Sequence, residues 1–171
     1  MKRYLFVLCL ISTVFLGGCN NRDLTVDMSK TVTDTNALPV NLPAEVARAK
    51  SENKLLLIEF GSSDSCPPCV LLQQKVFSTP EFMAFEKTNL DFVRLDYPFR
   101  AVLRSETKAT NDLLEKQFGV LGYPTFIALD RDGTELWRTP EKDNANPTLN
   151  TALFQPQKFI ALLEVLKQKE K

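Results

Sequence analysis

Lys54-Leu55-Leu56-Leu57-Ile58-Glu59-Phe60 leads without interruption into Gly61-Ser62-Ser63-Asp64-Ser65 and then Cys66-Pro67-Pro68-Cys69. The first seven residues form a nearly continuous apolar run of strand length, the pattern of a strand buried on both faces of a sheet. The next five read as a loop. Cys69, Leu72 and Val76 then recur at helical spacing, which predicts a helix from about Pro68 to Phe77. Proline is tolerated there because the first turn of a helix has N–H groups without intrahelical partners. Each X–Pro bond also pushes the preceding residue out of the α region. Cys66 is therefore expected just ahead of the helix, with its sulfur near the N–H of Cys69.

Working outward, Pro43 to Asn53 reads as a helix, with Pro43 in its first turn and Val46 and Ala49 or Lys50 on one face. After the cysteine helix, Ser78-Thr79-Pro80-Glu81 opens another. Pro80 is expected at its first position, and Glu81 follows Ser78 at capping-box spacing. Phe82 and Phe85 should face inward. Asp91 to Asp96 is a second strand, Tyr97 to Ser105 is irregular, and Glu106 to Phe118 is a helix with Leu113 and Leu114 inward and Gly119 as its stop. Pro124 to Leu129 and Thr134 to Arg138 are strands joined through Asp130-Arg131-Asp132-Gly133, where Asp-Gly is the hairpin signal. Glu141 to Phe154 is polar and turn-rich. Gln155 to Lys167 closes the chain as a helix with Phe159, Leu162, Leu163 and Leu166 on one face. A βαβ unit, a hairpin and a last helix predict an α/β fold, three-layer α/β/α with a central mixed sheet of about four to five strands.

The 171 residues suffice for one domain with a hydrophobic core, and 44% hydrophobic with 25% charged is ordinary for a globular chain. Formal net charge is zero. Without residues 1–18, which hold Lys2 and Arg3 and no acid, 19 basic and 21 acidic residues remain, or about −2. No basic patch points to nucleic acid. Histidine is absent. That argues against His-liganded metal, axial His on haem, and Cys–His or Ser–His catalysis. No metal and no cofactor are expected.

The N-terminus reads as an address. Met1-Lys2-Arg3 is basic, and Tyr4 to Leu16 is apolar but short of the ~20 residues that span a bilayer. Leu16-Gly17-Gly18-Cys19 resembles the bacterial lipobox, which implies a signal peptide over 1–18 and lipidation of Cys19. Asn20, by resemblance to enterobacterial lipoproteins, favours the outer membrane over the inner. Acyl chains contribute ~0.8 kcal/mol per buried CH₂, so several anchor a chain that has no spanning helix. Residues 19–42 are expected to be the lipidated cysteine and a flexible tether, and 43–171 the domain. Outside the cytosol a disulfide can persist.

With Cys9 removed and Cys19 lipidated, Cys66 and Cys69 are the remaining free thiols. The helix dipole and the Cys69 N–H favour a thiolate on Cys66, and thiolates attack disulfides. Cys66 is expected to be reachable by solvent and Cys69 to lie deeper and resolve the mixed disulfide. A purely structural disulfide over so short a loop would constrain the unfolded chain little. A zinc half-site would need a second pair, and no Cys or His supplies one.

Phe60-Gly61-Ser62 leading to Cys66-Pro67-Pro68-Cys69, then Lys75-Val76-Phe77-Ser78-Thr79-Pro80-Glu81-Phe82, Arg94-Leu95-Asp96-Tyr97-Pro98, Phe118-Gly119-Val120-Leu121-Gly122-Tyr123-Pro124-Thr125 and Leu129-Asp130-Arg131-Asp132-Gly133 resemble extracytoplasmic thioredoxin-like proteins. The resemblance covers about Lys54 to Trp137 and the last helix. It implies a cis Tyr123–Pro124 bond beside the cysteines, with Tyr123, Pro124 and Thr125 receiving an extended substrate segment. It implies that Glu59 is a buried acid beneath the pair, able to exchange a proton with Cys69. The alternative for Glu59 is a strand-end side chain facing water. Pro67 and Pro68 would shape the redox loop without disclosing its direction. Ser65 stands where the family usually has Trp, and Asp64 is a nearby negative charge that would oppose the thiolate.

Two functions are compatible with these residues. One is a lipid-anchored thiol–disulfide oxidoreductase facing the periplasm, with protein thiols or disulfides as substrates and an extracytoplasmic electron donor or acceptor as partner. The other is a binding module that holds an envelope partner without turnover. The intact cysteine pair with Tyr123-Pro124-Thr125 favours the first.

Overall fold

The run at residues 55–61 forms β1 (Leu55–Gly61), in which every residue is buried. The computed structural model describes residues 38–139 and 151–170. The signal peptide, Cys19 and residues 141–150 of the turn-rich segment lie outside them.

In chain order the elements are α1 (Leu42–Glu52), β1, α2 (Pro67–Leu72), a π-helical turn (Gln73–Phe77), α3 (Pro80–Asn89), β2 (Leu90–Asp96), α4 (Ser105–Phe118), β3 (Thr125–Leu129), β4 (Glu135–Thr139), a 3₁₀ turn (Thr151–Phe154) and α5 (Pro156–Lys169). The four strands make one sheet in the order β2-β1-β3-β4. β1 and β2 are parallel, and the other two pairings are antiparallel. This is the mixed sheet that the sequence predicts.

Strand periodicity divides the core. Leu55 and Leu57 of β1 join Phe126 and Ala128 of β3 and the apolar faces of α2, α3 and α5, with Phe77, Phe82 and Phe159 at the centre. Leu56, Ile58 and Phe60 point the other way, to Val93, Leu95, Ile127 and the inner faces of α1 and α4. Alternation therefore sends Glu59 to the same side as Leu55 and Leu57, the side covered by α2.

Several local expectations change. The cysteine helix is shorter than expected, because its α geometry gives way to the π turn after Leu72. Thr79, not Ser78, caps α3: its Oγ1 accepts from the Phe82 N–H at 3.3 Å, while Ser78 Oγ accepts from Gln73. Pro80 does occupy the first turn, and the residue just before it takes the cap. Leu113 is 64% exposed, whereas Leu114 is buried; one step of 100° along α4 carries Leu113 out of the stripe. α1 begins at Leu42, capped by Asn41, and Val40 and Leu42 pack against the core, so the last residues of the expected tether belong to the fold. The hairpin turn is as read, with Gly133 at φ 82° and Asp130 Oδ1 accepting from the amides of Asp132 and Thr134.

Candidate active site

Three segments meet at one end of the sheet. Register places Gly61, the last residue of β1, opposite Asp96, the last of β2. Phe60 lies opposite Thr125, the first residue of β3. The loops that leave β1 and β2 and the loop that enters β3 therefore emerge together, and each carries expected site residues.

The first loop carries the cysteines. Cys66 is the N-cap of α2 in an extended conformation, Pro67 opens the helix, and Cys66 Sγ accepts the Cys69 N–H at 3.3 Å. The two cysteines are joined in a disulfide with their Cα atoms 5.3 Å apart. The geometry is the one Pro67 and Pro68 were expected to impose. The expected contrast in exposure is small: Cys66 is 7% and Cys69 4% exposed. As N-cap, Cys66 folds its sulfur back over the first turn instead of outward, so the asymmetry of the pair is one of hydrogen bonding more than of access.

Glu59 is buried, 2% exposed, and the water-facing alternative is excluded. Its Oε2 accepts from Arg94 Nε at 2.6 Å. Arg94 is directly across the parallel ladder, stacks over the rings of Phe77 and Phe92, and also donates to Gln73. Glu59 Oε1 is buried without a hydrogen-bond partner. It lies 3.3 Å from the position a Cβ on Gly61 would take, and Cys69 Sγ lies 3.5 Å from the same position. A buried carboxyl oxygen and the second sulfur thus border one small space. Burial pushes the Glu59 carboxyl up, and the opposing attraction of Arg94 does not reverse it. A carboxyl raised in this way keeps its proton to higher pH than an exposed one, which suits a group that gives and takes a proton.

The loop ahead of Cys66 is tied down by two carboxylates. Asp96 accepts the Ser63 N–H and the Ser63 hydroxyl, each at 2.7 Å. Asp64 is buried and accepts the backbone N–H groups of Phe99 and Arg100, each at 2.7 Å, with the Ser62 hydroxyl at 3.3 Å. Burial alone would raise the Asp64 carboxyl; the two amides, with Ser62, more than offset it and hold it below the usual range. Asp64 is a charge near the cysteines, as expected, but its lone pairs are taken up by the residue 99–100 backbone. Ser65 is exposed, and its hydroxyl is 2.6 Å from that of Ser62.

The third segment carries the cis Tyr123–Pro124 bond. Pro124 and Thr125 are buried, and Thr125 Oγ1 donates to Gly122 O at 2.7 Å. Tyr123 stacks on Tyr97 with ring centroids 5.0 Å apart, and its hydroxyl donates to Glu115 at 2.7 Å. Burial, then that carboxylate, push the Tyr123 hydroxyl well above the usual tyrosine range, so it stays a donor. Reading the sequence alone missed Arg94 and Tyr97. Both fall in the quoted Arg94-Leu95-Asp96-Tyr97-Pro98 stretch, but no role follows from it; what identifies them is strand register, Arg94 opposite Glu59 and Tyr97 one residue past the end of β2.

Comparison with known proteins agrees with this fold. A thioredoxin-like domain family matches residues 42–140. A curated relative, the disulfide bond reductase DsbH of Chlamydia pneumoniae, is 25% identical over 135 residues, 78% of this chain and 81% of that one. A solved DsbH oxidoreductase superposes with a TM-score of 0.61 at 19% identity, covering 80% of this chain and 90% of that one.

Proposed function

We propose that this chain, a member of the thioredoxin-like family and a thiol–disulfide oxidoreductase, exchanges disulfides with protein thiols in the bacterial envelope while held there by a lipid on Cys19. The observation that carries the reading is the Cys66–Cys69 disulfide at a helix N-cap, set over a buried, unpartnered Glu59 oxygen. The envelope location is supported by the lipobox-like Leu16-Gly17-Gly18-Cys19 and by the relationship to a disulfide bond reductase.

In the reducing direction, the Cys66 thiolate attacks one sulfur of a substrate disulfide. The Cys66–substrate bond forms, and the other substrate sulfur leaves as a thiolate and is protonated. Glu59 then takes the proton of Cys69. The Cys69 thiolate attacks Cys66 Sγ, the Cys66–Cys69 bond forms, and the second substrate thiol departs. Two electrons have passed from the enzyme to the substrate, and an extracytoplasmic dithiol restores the enzyme. The oxidising direction is the same sequence reversed. The helix N-terminus stabilises the Cys66 thiolate. Tyr123, Pro124 and Thr125 receive the extended segment that carries the substrate cysteine, through the backbone ahead of Pro124.

Insulin reduction in the presence of a small dithiol tests the activity: the wild type should accelerate precipitation of the insulin B chain, and Cys66→Ser should not. Equal rates for the two would refute the reading and favour the non-catalytic binding module. The anchor is tested separately by fractionating cells that carry Cys19→Ser, which should move the protein out of the membrane fraction. Unchanged membrane attachment and processing would refute lipidation.

A further inference from the structure

Among the described residues seven large apolar side chains are exposed, and Phe99 at 85% and Val102 at 86% are the most exposed of them. Both belong to the segment between β2 and α4, which leaves the sheet at the same end as the cysteine loop. This segment is fixed at its start. The Tyr97 N–H donates to Gly61 O at 2.8 Å, and the buried Asp64 carboxylate, two residues ahead of Cys66, takes the amides of Phe99 and Arg100. Tyr97 stacks on Tyr123, which joins the segment to the loop of Pro124. Leu121, three residues before Pro124, is also exposed, at 72%. The residue immediately before Cys66 contributes no apolar surface, since Ser65 is small and hydrogen-bonded to Ser62. Exposed apolar side chains at this end of the sheet therefore include Phe99, Val102 and Leu121, with Pro67 between the cysteines. Exposed Arg100 and Arg104 fringe them with positive charge.

We propose that residues 97–104, pinned by Asp64, form a substrate-selecting rim on which Phe99 and Val102 receive the apolar side chain beside the cysteine of an extended polypeptide disulfide, in preference to small disulfides. The proposal rests on the oxidoreductase reading and specifies its substrate class. A polypeptide fits the site because the backbone that presents Phe99 is held by hydrogen bonds at residues 97, 99 and 100, so Phe99 stands on a formed surface rather than a collapsing loop. The arginines add attraction for acidic residues near the substrate cysteine. Asp64 acts here as a positioning residue: it touches no substrate and holds the backbone that presents Phe99.

The test uses the full chain in detergent micelles, reduced beforehand and freed of reductant. Single-turnover rates are measured with glutathione disulfide, with a peptide disulfide carrying Phe and Leu beside its cysteine, and with the same peptide carrying Lys there. The wild type should favour the apolar peptide over both others. In the Phe99→Ser/Val102→Ser double variant, whose changes are on exposed side chains, the ratio of apolar-peptide to glutathione rate should fall roughly tenfold, the scale expected for losing a partly buried aromatic contact. Asp64→Asn should lower the same ratio with Phe99 still present. Because the measure is a ratio, a general change in cysteine reactivity cancels. An unchanged ratio in the double variant would overturn the proposal. So would a wild-type dimer that the double variant dissolves with its ratio intact, since the patch would then serve a second copy. A wild type inert toward all three disulfides would overturn the oxidoreductase reading itself.

Discussion

Gly61→Ala tests whether Glu59 and Cys69 communicate through the space they share. The Gly61 backbone is not in the left-handed region, so alanine is allowed there, and restricting the unfolded chain should contribute about 0.4–1 kcal/mol of stability. Against that, the new methyl would sit 3.3 Å from Glu59 Oε1 and 3.5 Å from Cys69 Sγ. The first contact is tighter than ordinary van der Waals packing, and overpacking a buried site costs about 1–3 kcal/mol. The net expectation is a loss of no more than about 2.6 kcal/mol, or roughly 10 °C in melting temperature for a domain of this size. Activity should suffer more than stability. The methyl pushes the carboxyl away from the sulfur, and positioned proton transfer is worth about 10²–10⁴ in rate. Stopped-flow measurement should show formation of the Cys66–substrate disulfide close to the wild-type rate and its resolution by Cys69 slowed at least about tenfold. Resolution at the wild-type rate, in a variant shown by melting to be folded, would refute the coupling of Glu59 to Cys69.

Two further outcomes concern pH. Glu59 is raised by burial. Below the ordinary carboxyl range both folded and unfolded chains hold its proton; as pH rises the unfolded chain gives it up first, so folding stability falls until the folded group ionises too. Glu59→Gln should therefore leave stability unchanged in acid and increase it above that window in a series of melting temperatures against pH, and equal curves would contradict the buried-acid assignment. Asp64 is held low by the Phe99 and Arg100 amides, so its contribution is full above the ordinary Asp range and is lost as pH falls through its lower folded value. Asp64→Asn should cost about 1.5–3 kcal/mol at neutral pH, the worth of hydrogen bonds to a charged group, with the deficit closing in strong acid; a pH-independent deficit would contradict an ionised Asp64.

Much of this site is legible because it is local. The Leu55–Phe60 run, the loop and Cys66-Pro67-Pro68-Cys69 are contiguous, and proline chemistry at a helix start places Cys66 as N-cap. The cis Tyr123–Pro124 bond and the burial of Glu59 follow from resemblance and appear in the structure. What the sequence hides is set by register and by rotation about helix axes. Arg94 becomes the partner of Glu59 only once β1 and β2 are aligned residue for residue. Leu113 and Leu114 are equally apolar, and packing of α4 chooses between them. The Thr79 cap was recoverable, since the N-cap immediately precedes a proline in the first helical position. The Asp64 contact with residues 99–100 spans 35 positions of sequence and leaves no periodic trace.

The division of labour between the two sulfurs is the centre of the account, and a trapping experiment reaches it most directly. Cys69→Ser removes the resolving thiol while keeping Cys66 at the helix N-cap. Expressed in the cell envelope and run on a non-reducing gel, this variant should accumulate covalent protein adducts that collapse on adding reductant, with mass spectrometry placing the link at Cys66. Cys66→Ser should yield few or none. Equal trapping by both variants would contradict the assigned roles, and no trapping by either would contradict disulfide exchange as the function of the site.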